Sequence, residues 1–194
     1  MKICYVANSC IPSRLANTVH VMKMCQAYQR LGHEVTLVVP DWLAGKASGV
    51  EDVYDFYAVE ERFPIVRVPM PTNERAHTLF YSLTFPRAVA RLESDVVHAR
   101  VLTSAWSTAA LFRLPTLLEL HHPPPSSPYW RFFFDRSVRS RKTIGLVAIT
   151  HALAEKYLRP VLPARTQIVI APDGVDEAWL QDDLTRDRPG AGLD

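Results

Sequence analysis

Glycine is scarce in this sequence, which has seven glycines among 194 residues. The turn after the first apolar segment, residues 8–14, contains none of them. A dinucleotide-binding turn needs the pattern G-x-G-x-x-G so that the backbone can approach a pyrophosphate, and a P-loop needs its own glycine-rich pattern. Because neither pattern is present, the sequence argues against a nicotinamide enzyme or an ATPase of the usual kind.

Cysteine, excess charge and long apolar runs are lacking as well. The three cysteines are odd in number and form no CxxC pair, so we expect reduced thiols and a cytosolic protein. The net charge of +2 is far from the basic balance of a nucleic-acid binder, and we expect no nucleic-acid partner. No segment approaches the roughly 20 apolar residues of a membrane helix. Asn8 and Ser9 interrupt the apolar N-terminus, which we interpret as a strand rather than a signal peptide.

The segment from residue 2 to residue 40 predicts a strand, a helix and a second strand. Residues 3–7 and 35–39 are continuous apolar runs of strand length, which is typical of parallel strands that are buried on both faces. Between them, apolar residues recur at helical spacing, at Val21, Met24, Cys25, Tyr28 and Leu31. Asn17 is the predicted N-cap of this helix, and Gly32 is suited to the left-handed residue that ends it.

Similar apolar runs continue the alternation of strands and helices along the chain. Further strands are predicted at residues 65–68, 95–99, 116–120, 145–149 and 167–171. Helices are predicted at residues 74–92, 104–112, 129–142 and 151–158. Pro86 should kink or divide the first of these helices, and Thr150 should cap the last. The alternation predicts an α/β protein with a Rossmann-like, doubly wound parallel sheet of about seven strands.

Ligands of open parallel sheets bind beyond the carboxyl ends of the strands, so the polar residues there are candidates for substrate contact. These residues are Arg14, Asn17, His20, Arg100, Glu119 and Thr150. The residues near the first helix could instead belong to a capped, solvated helix start. Arg100 could pair with a substrate, or it could form an ion pair with Glu119 that joins two strand ends. Residues 173–174 are interpreted as a turn before a hinge.

Seven segments taken together resemble the N-terminal domain of a GT-B glycosyltransferase of family 4. They follow one another in the order and spacing of that family, at residues 2–6, 16–25, 31–38, 95–100, 115–121, 146–153 and 168–176. The resemblance implies two Rossmann-like domains that face each other across a cleft. The first binds mainly the acceptor, and the second holds the nucleotide-sugar donor through basic residues and an E-x7-E motif.

This resemblance sets the expected function and domain organisation. Residues 1–180 would form the acceptor-side domain, and residues 181–194 would be a linker or frayed tail toward a donor-binding domain that this chain lacks. We expect the acceptor-binding half of a retaining hexosyltransferase, inactive alone, with a sugar, glycolipid or other small molecule as acceptor. No cofactor is expected in this chain, and the complete enzyme would use a nucleotide-sugar donor without a metal.

His121 matches the family's cleft histidine and is the predicted catalytic residue. By resemblance it would line the reacting sugar, orient the donor and stabilise charge during transfer. A zinc site is the alternative, because Glu119 and His121 share one face of a strand. His122 points to the opposite face, so such a site would lack ligands.

The segment from Tyr129 to Lys142 permits two interpretations. Its aromatic and basic residues suit peripheral contact with an anionic membrane, as in family members with lipid-linked acceptors. Trp130, Phe133, Phe134 and Val138 also form one helical stripe, and we favour a helix that packs on the core with a solvated basic side. The expected location is therefore cytoplasmic, with possible contact at the inner face of the membrane.

Two other functions remain open at this stage. The chain could be a non-catalytic binding or assembly module that needs a partner chain carrying the donor domain. It could also be an unrelated Rossmann domain that binds a nucleotide or another metabolite. Tight binding of a free nucleotide by this chain alone would favour the latter.

Overall fold

Seven parallel strands form one sheet in the computed structural model, which describes residues 1–41, 46–70, 77–172 and 174, without the side chains of residues 77–79 and 82. The sheet order is β3-β2-β1-β4-β5-β6-β7. The strands are β1 (Lys2–Val6), β2 (Glu34–Asp41), β3 (Ile65–Pro69), β4 (Val96–Ala99), β5 (Thr116–Leu120), β6 (Thr143–Ala148) and β7 (Ile168–Ile170). All the pairs are parallel, which confirms the predicted fold class.

The strand order reverses between β1 and β4, so the carboxyl ends of the central strands border a crevice. In this region Tyr5 of β1 lies opposite Leu37 of β2 and His98 of β4. His98 lies in turn opposite Leu117 of β5. Side chains alternate along a strand, so Tyr5, His98 and Glu119 share one face of the sheet.

Helices cover both faces of the sheet. Helices α1 (Ala16–Arg30) and α2 (Val53–Phe56) lie over the face that contains Tyr5 and Leu37. The opposite face packs against α3 (His77–Ala90), α4 (Leu102–Trp106) with its wider π-helical continuation (Ser107–Leu111), and α5 (Pro128–Arg139). A π-helical turn (Leu153–Leu158) and a 3-10 turn (Arg159–Val161) follow β6. The arrangement confirms the prediction of a doubly wound sheet.

Helix α1 begins earlier than predicted and ends as predicted. Its N-cap is Leu15, which makes no side-chain capping bond. Asn17 therefore lies inside the first turn, where its Nδ2 donates to Ser9 Oγ at 3.2 Å, so its prediction as the N-cap was wrong. At the other end Gly32 has φ +80° and its N–H donates to the Gln29 carbonyl at 2.8 Å. This is the left-handed glycine that closes a helix.

The other helices differ from prediction mainly at their ends. Helix α3 runs through Pro86 without division, so of the two predicted effects of Pro86 the division does not occur, and the predicted start at residue 74 lies outside the described residues. Helix α5 ends at Arg139, three residues before the predicted end, because Ser140 adopts an extended conformation. Thr150 caps the helical segment after β6, as predicted, by accepting from the Leu153 N–H at 3.1 Å.

Two further predictions concern the ends of the chain and its relation to a membrane. The predicted turn at residue 173 and the predicted tail at residues 181–194 lie outside the described residues. Within the part of the chain that is described, each helix is too short or too polar to cross a bilayer.

Candidate functional site

Glu119, near the carboxyl end of β5, is the centre of a polar cluster at the crevice. Its side chain is only 3% exposed, yet both carboxylate oxygens contact polar side chains. A buried carboxylate is tolerated only when partners of this kind replace the water that it has lost. We call this group the Glu119 cluster, and its other members are Tyr5, His20, His98, Arg100 and His121.

The Oε1 atom of Glu119 faces the crevice. It accepts from Arg100 Nε at 3.0 Å and lies 2.5 Å from His121 Nε2. His20, from the second turn of α1, places its Nε2 atom 3.4 Å from the same oxygen. These contacts bring together side chains from the loop after β4, the end of β5 and the start of α1.

The Oε2 atom of Glu119 faces the interior of the sheet. It accepts from the Tyr5 hydroxyl at 3.0 Å and lies 3.0 Å from His98 Nε2. The other ring nitrogen of His98, Nδ1, is 2.9 Å from the Tyr28 hydroxyl. If Nδ1 accepts from the Tyr28 hydroxyl, the ring carries its proton on Nε2, which lies close to Glu119 Oε2 without the geometry of a hydrogen bond.

The cluster holds Glu119 in its ionised form. Burial alone would raise the pKa of the carboxyl, but the contacts with three histidines outweigh burial and hold this pKa well below its usual range. Burial, together with the nearby negative charge of Glu119, raises the pKa of Tyr28 to about 12, so its hydroxyl stays protonated. The site therefore contains one permanent buried negative charge beside the Arg100 guanidinium.

Arg100 joins the cluster to the helix that borders the crevice. Besides Glu119, its guanidinium donates from Nη1 to the Asn17 carbonyl at 3.3 Å. Its Nη2 atom is 2.9 Å from His121 Nε2. Asn17, Arg100 and His121 therefore lie at one rim, and of the two alternatives for Arg100 the ion pair with Glu119 is present. The three side chains facing the crevice keep partial exposure, at 12% for Arg100, 20% for His20 and 22% for His121.

Glu119 determines which nitrogen of the His121 ring carries a proton. A nitrogen 2.5 Å from a carboxylate oxygen must carry a proton, because two lone pairs at that distance would repel each other. We therefore assign the proton to Nε2, which donates to Glu119. The Arg100 Nη2 atom, 2.9 Å from the same nitrogen, is also a donor, so with this assignment the contact between Arg100 and His121 is not a hydrogen bond.

The other predicted site residues lie around the Glu119 cluster without touching Glu119. Arg14 and Asn17 are exposed at the start of α1, and Thr150 is exposed after β6 with its hydroxyl engaged as the helix cap. His122 is exposed beside His121. Whether these side chains meet a substrate remains a prediction.

The histidines and acidic residues of the site do not form a metal centre. Within the described ranges, no group of three or more His, Cys, Asp or Glu residues has a geometry that could hold a metal ion. In the Glu119 cluster the carboxylate occupies the centre and the imidazoles surround it. A bound cation would need the reverse arrangement, with the ligands around an open position.

Tyr5 and His98 were missed as site residues in the sequence analysis, which treated both as strand positions. The available signal was a histidine within a buried apolar strand, Val96–Ala99, because such a ring needs a polar partner. The partner could be named only after the strand order and register placed His98 beside Tyr5.

The chain matches a known family over most of its length. Residues 18–179 match Glycosyltransferase Family 4. No curated protein sequence matches the chain.

Several solved structures share its fold at low sequence identity. One structure of sucrose-phosphate synthase from Thermosynechococcus elongatus has a TM-score of 0.61 at 14% identity, covering 96% of this chain and 98% of that chain. A second structure of this synthase has a TM-score of 0.62 at 14% identity and covers 97% of this chain but 54% of that chain. The Anabaena protein HepE, in complex with UDP and glucose, has a TM-score of 0.58 at 14% identity. This match covers 95% of this chain and 50% of that chain.

The chain thus spans about half the length of two of these three structures. At such identities the structural likeness shows the fold alone. The fold is that of the N-terminal domain of GT-B glycosyltransferases, as the sequence resemblance implied. With the sequence match over residues 18–179, the chain belongs to glycosyltransferase family 4.

Proposed function

We propose that this chain is the acceptor-binding half of a retaining glycosyltransferase that transfers a hexose from a nucleotide-sugar donor. The observation that carries the proposal is the Glu119 cluster at the carboxyl edge of the sheet, in a domain of glycosyltransferase family 4. Ligands of open α/β sheets bind at this edge. The partly exposed Arg100, His20 and His121 offer the donors and acceptors that sugar hydroxyl groups need.

In this proposal His121 is the catalytic residue that lies against the reacting sugar. Its ring is fixed through Nε2 by Glu119, which leaves the opposite side of the ring for a sugar hydroxyl. A ring held in one orientation before substrate arrives can stabilise developing charge without reorganisation during the reaction. Arg14, Asn17, His20 and Thr150 are proposed to contact the acceptor around it.

Glu119 has a different role, because its side chain is almost completely buried. We assign it as a positioning residue that acts through Arg100 and His121. Its charge also keeps the Arg100 guanidinium at the rim, where Arg100 reaches the first turn of α1. Glu119 would therefore influence acceptor binding through Arg100 and His121, without touching the acceptor.

The donor is proposed to come from a second domain. Residues 1–180 would form the acceptor side, and residues 181–194 would lead toward a donor-binding domain that supplies the groups for the nucleotide diphosphate. Closing the two domains would exclude water from the reacting sugar. The three cysteines are buried and none of them forms a disulfide, which supports a reducing compartment such as the cytoplasm.

A transfer assay tests this function. The isolated chain, incubated with nucleotide sugars and a panel of sugar and glycolipid acceptors, should give no turnover. A longer protein that joins it to a donor-binding domain should transfer the sugar with retention of anomeric configuration, and chelators should have no effect. Turnover by the isolated chain, inversion of configuration or a requirement for metal would each contradict the proposal.

A pair of neighbouring histidines provides the matched variants for the same assay. In the two-domain enzyme, His121→Ala should lower kcat by on the order of a hundredfold, because a group that stabilises the transition state is lost. His122→Ala removes the adjacent exposed ring and should leave kcat within a factor of about two. Equal effects of the two substitutions would remove His121 from the catalytic role.

A further inference from the structure

The loop between β1 and α1 is buried although it borders the crevice. Its residues 9–13, which we call the β1–α1 loop, are all buried. Buried backbone groups outside a helix or a sheet need hydrogen-bond partners from elsewhere in the molecule. Several of these partners come from residues 46–67, which lead from β2 into β3 and which we call the 46–67 segment.

Tyr57, directly after α2, binds two backbone groups of the loop at once. Its hydroxyl accepts from the Ser13 N–H at 2.7 Å and donates to the Ser13 carbonyl at 2.8 Å. Tyr57 is 5% exposed and Ser13 is 1% exposed, so these bonds form away from water, where a hydrogen bond is electrostatically stronger. A single hydroxyl group therefore fixes both backbone polar groups of Ser13.

Two further contacts hold the loop from the same side. Arg67 of β3 donates from Nη1 to the Ile11 carbonyl at 2.5 Å. The Ala47 N–H donates to the Pro12 carbonyl at 2.9 Å. Three consecutive residues of the β1–α1 loop are thus bound to the 46–67 segment through their backbone groups.

The 46–67 segment is also bound to the later turns of α1. Lys23 donates from Nζ to the Ala58 carbonyl at 2.5 Å, and the Glu60 N–H donates to Gln26 Oε1 at 3.1 Å. Arg30, the last residue of α1, forms an ion pair with Glu60 at 2.8 Å. The segment therefore contacts α1 along its length as well as the loop that precedes the helix.

The start of α1 depends on the loop because the helix has no side-chain cap of its own. Its N-cap, Leu15, makes no capping bond, although the first N–H groups of a helix need partners. The completely buried Thr18 hydroxyl instead lies 2.9 Å from the Ser13 carbonyl and 2.7 Å from the Leu15 carbonyl. Ser13 thus fixes the first turn of α1, and Tyr57 fixes Ser13.

This part of α1 carries side chains of the proposed acceptor site. Asn17 and His20 lie on either side of Thr18 in the sequence, and Arg100 donates to the Asn17 carbonyl at 3.3 Å. We propose that Tyr57 is a positioning residue of the acceptor site, because it fixes the β1–α1 loop and, through the loop, the start of α1. The inference rests on the proposed function for the substrate that these side chains meet.

The kinetic effect of Tyr57 should fall on acceptor binding rather than on the chemical step. The His121 ring is fixed by Glu119 of β5 and not by the β1–α1 loop. In the two-domain enzyme, assayed with the panel acceptor that gives the highest turnover, Tyr57→Phe should raise the acceptor KM by about tenfold and leave kcat within about threefold. This substitution keeps the aromatic ring in the core and removes only the hydroxyl.

Amide hydrogen exchange measures the positioning effect in the 194-residue chain without any substrate. The N–H groups of Thr18 and Val19 donate to the Leu15 carbonyl at 3.0 and 3.4 Å, in the first turn of α1. In Tyr57→Phe these two amides should exchange at least about tenfold faster, because the first turn opens more often. The Leu31 amide, at the other end of α1, should exchange at an unchanged rate.

Tyr54→Phe is the matched control, since the Tyr54 hydroxyl donates to the Phe63 carbonyl within the same segment. It should leave the exchange of Thr18 and the acceptor KM within about a factor of two. Arg67→Met removes the donor to Ile11 and should reproduce the faster exchange, so the test does not depend on a single variant. Thermal unfolding verifies that each variant is folded.

Three results would overturn the proposal. These are unchanged exchange of Thr18 and Val19 in Tyr57→Phe, equal effects of Tyr54→Phe, and an unchanged acceptor KM in a Tyr57→Phe enzyme that still transfers sugar. The last result would leave the proposed function intact. Absence of transfer by the unmodified two-domain enzyme would contradict the proposed function instead, and the exchange rates of the isolated chain would still decide whether Tyr57 fixes the start of α1.

Discussion

At the scale of single residues, Glu119 shows how one buried charge can fix the position of several polar side chains. Its two oxygens face different parts of the molecule, with Arg100 and His121 toward the crevice and Tyr5 and His98 toward the interior. The buried Glu119 carboxylate therefore positions the side chains of Arg100 and His121 at the rim of the site. A change at Glu119 should affect both the stability of the domain and the arrangement of its site.

The substitution Glu119→Gln should lower the free energy of unfolding by about 3 kcal/mol, because it leaves the Arg100 guanidinium without its charged partner in a largely buried position. Urea unfolding followed by circular dichroism measures the change. Glu61→Gln is the matched control, since Glu61 pairs with Arg30 at the surface, and its unfolding midpoint should match that of the unmodified chain. Equal effects of the two substitutions would show that the Glu119 cluster is not a stabilising feature.

The pKa of Glu119 also predicts a loss of stability in acid. Burial raises this pKa, but the three surrounding histidines lower it more, to well below the value of 4.5 for an unperturbed carboxyl. In the unfolded chain the carboxyl therefore binds a proton at a pH at which the folded chain keeps it ionised. Its contribution to stability is complete above about pH 5 and declines as the pH falls below about 4.5, by up to about 1.4 kcal/mol per pH unit.

The measurement is the difference in unfolding free energy between the unmodified chain and Glu119→Gln. This difference should be largest near about pH 6 and should shrink steadily toward about pH 3. The glutamine variant is its own control, because it cannot take up the proton. A difference that stays constant over this range would contradict the low pKa.

The sequence predicted the crevice-facing residues of the site better than its interior residues. Arg100 and His121 were identifiable because each ends a predicted strand, and parallel strands bring such ends to one edge. Tyr5 and His98 were not, since contact between them depends on which strands are neighbours and in what register. Local sequence patterns reveal neither the order of the strands nor their register.

At the scale of helices and strands, a glycine suited to the left-handed conformation was a reliable sequence signal for the end of a helix. Gly32 marked the end of α1 because only glycine adopts φ +80° at little cost. The start of α1 was misplaced, since Asn17 is a good N-cap by type but its amide donates to Ser9. The continuity of α3 through Pro86 is set by tertiary packing, because Phe85 and Val89 beside the proline are buried against the sheet.

Helix α5 offers a direct comparison of its two sides. Phe134 is completely buried, so Phe134→Ala should lower the free energy of unfolding by about 3–5 kcal/mol through the cavity that it leaves. Phe132, two residues earlier, is 47% exposed, so Phe132→Ala should cost less than about 1 kcal/mol. Both values come from urea unfolding. A large cost at Phe132 would mean that this ring is part of the core.

At the scale of the whole molecule, the parallel sheet was predictable because its strands are continuous apolar runs that alternate with helices. The order β3-β2-β1-β4-β5-β6-β7 reverses between β1 and β4, and this reversal places the Glu119 cluster at the carboxyl edge of the sheet, beside the crevice.

Histidine NMR can show whether the crevice beside the Glu119 cluster binds the acceptor sugar. With its seven histidines isotopically labelled, the chain is titrated with acceptor sugars and, separately, with nucleotide sugars. We expect an acceptor to shift the ring signals of His121 and His20, nucleotide sugars alone to shift neither, and His33, just before the amino end of β2, to stay unchanged. Shifts at His121 and His20 caused by a free nucleotide, with none caused by any acceptor, would show that the crevice is not an acceptor site.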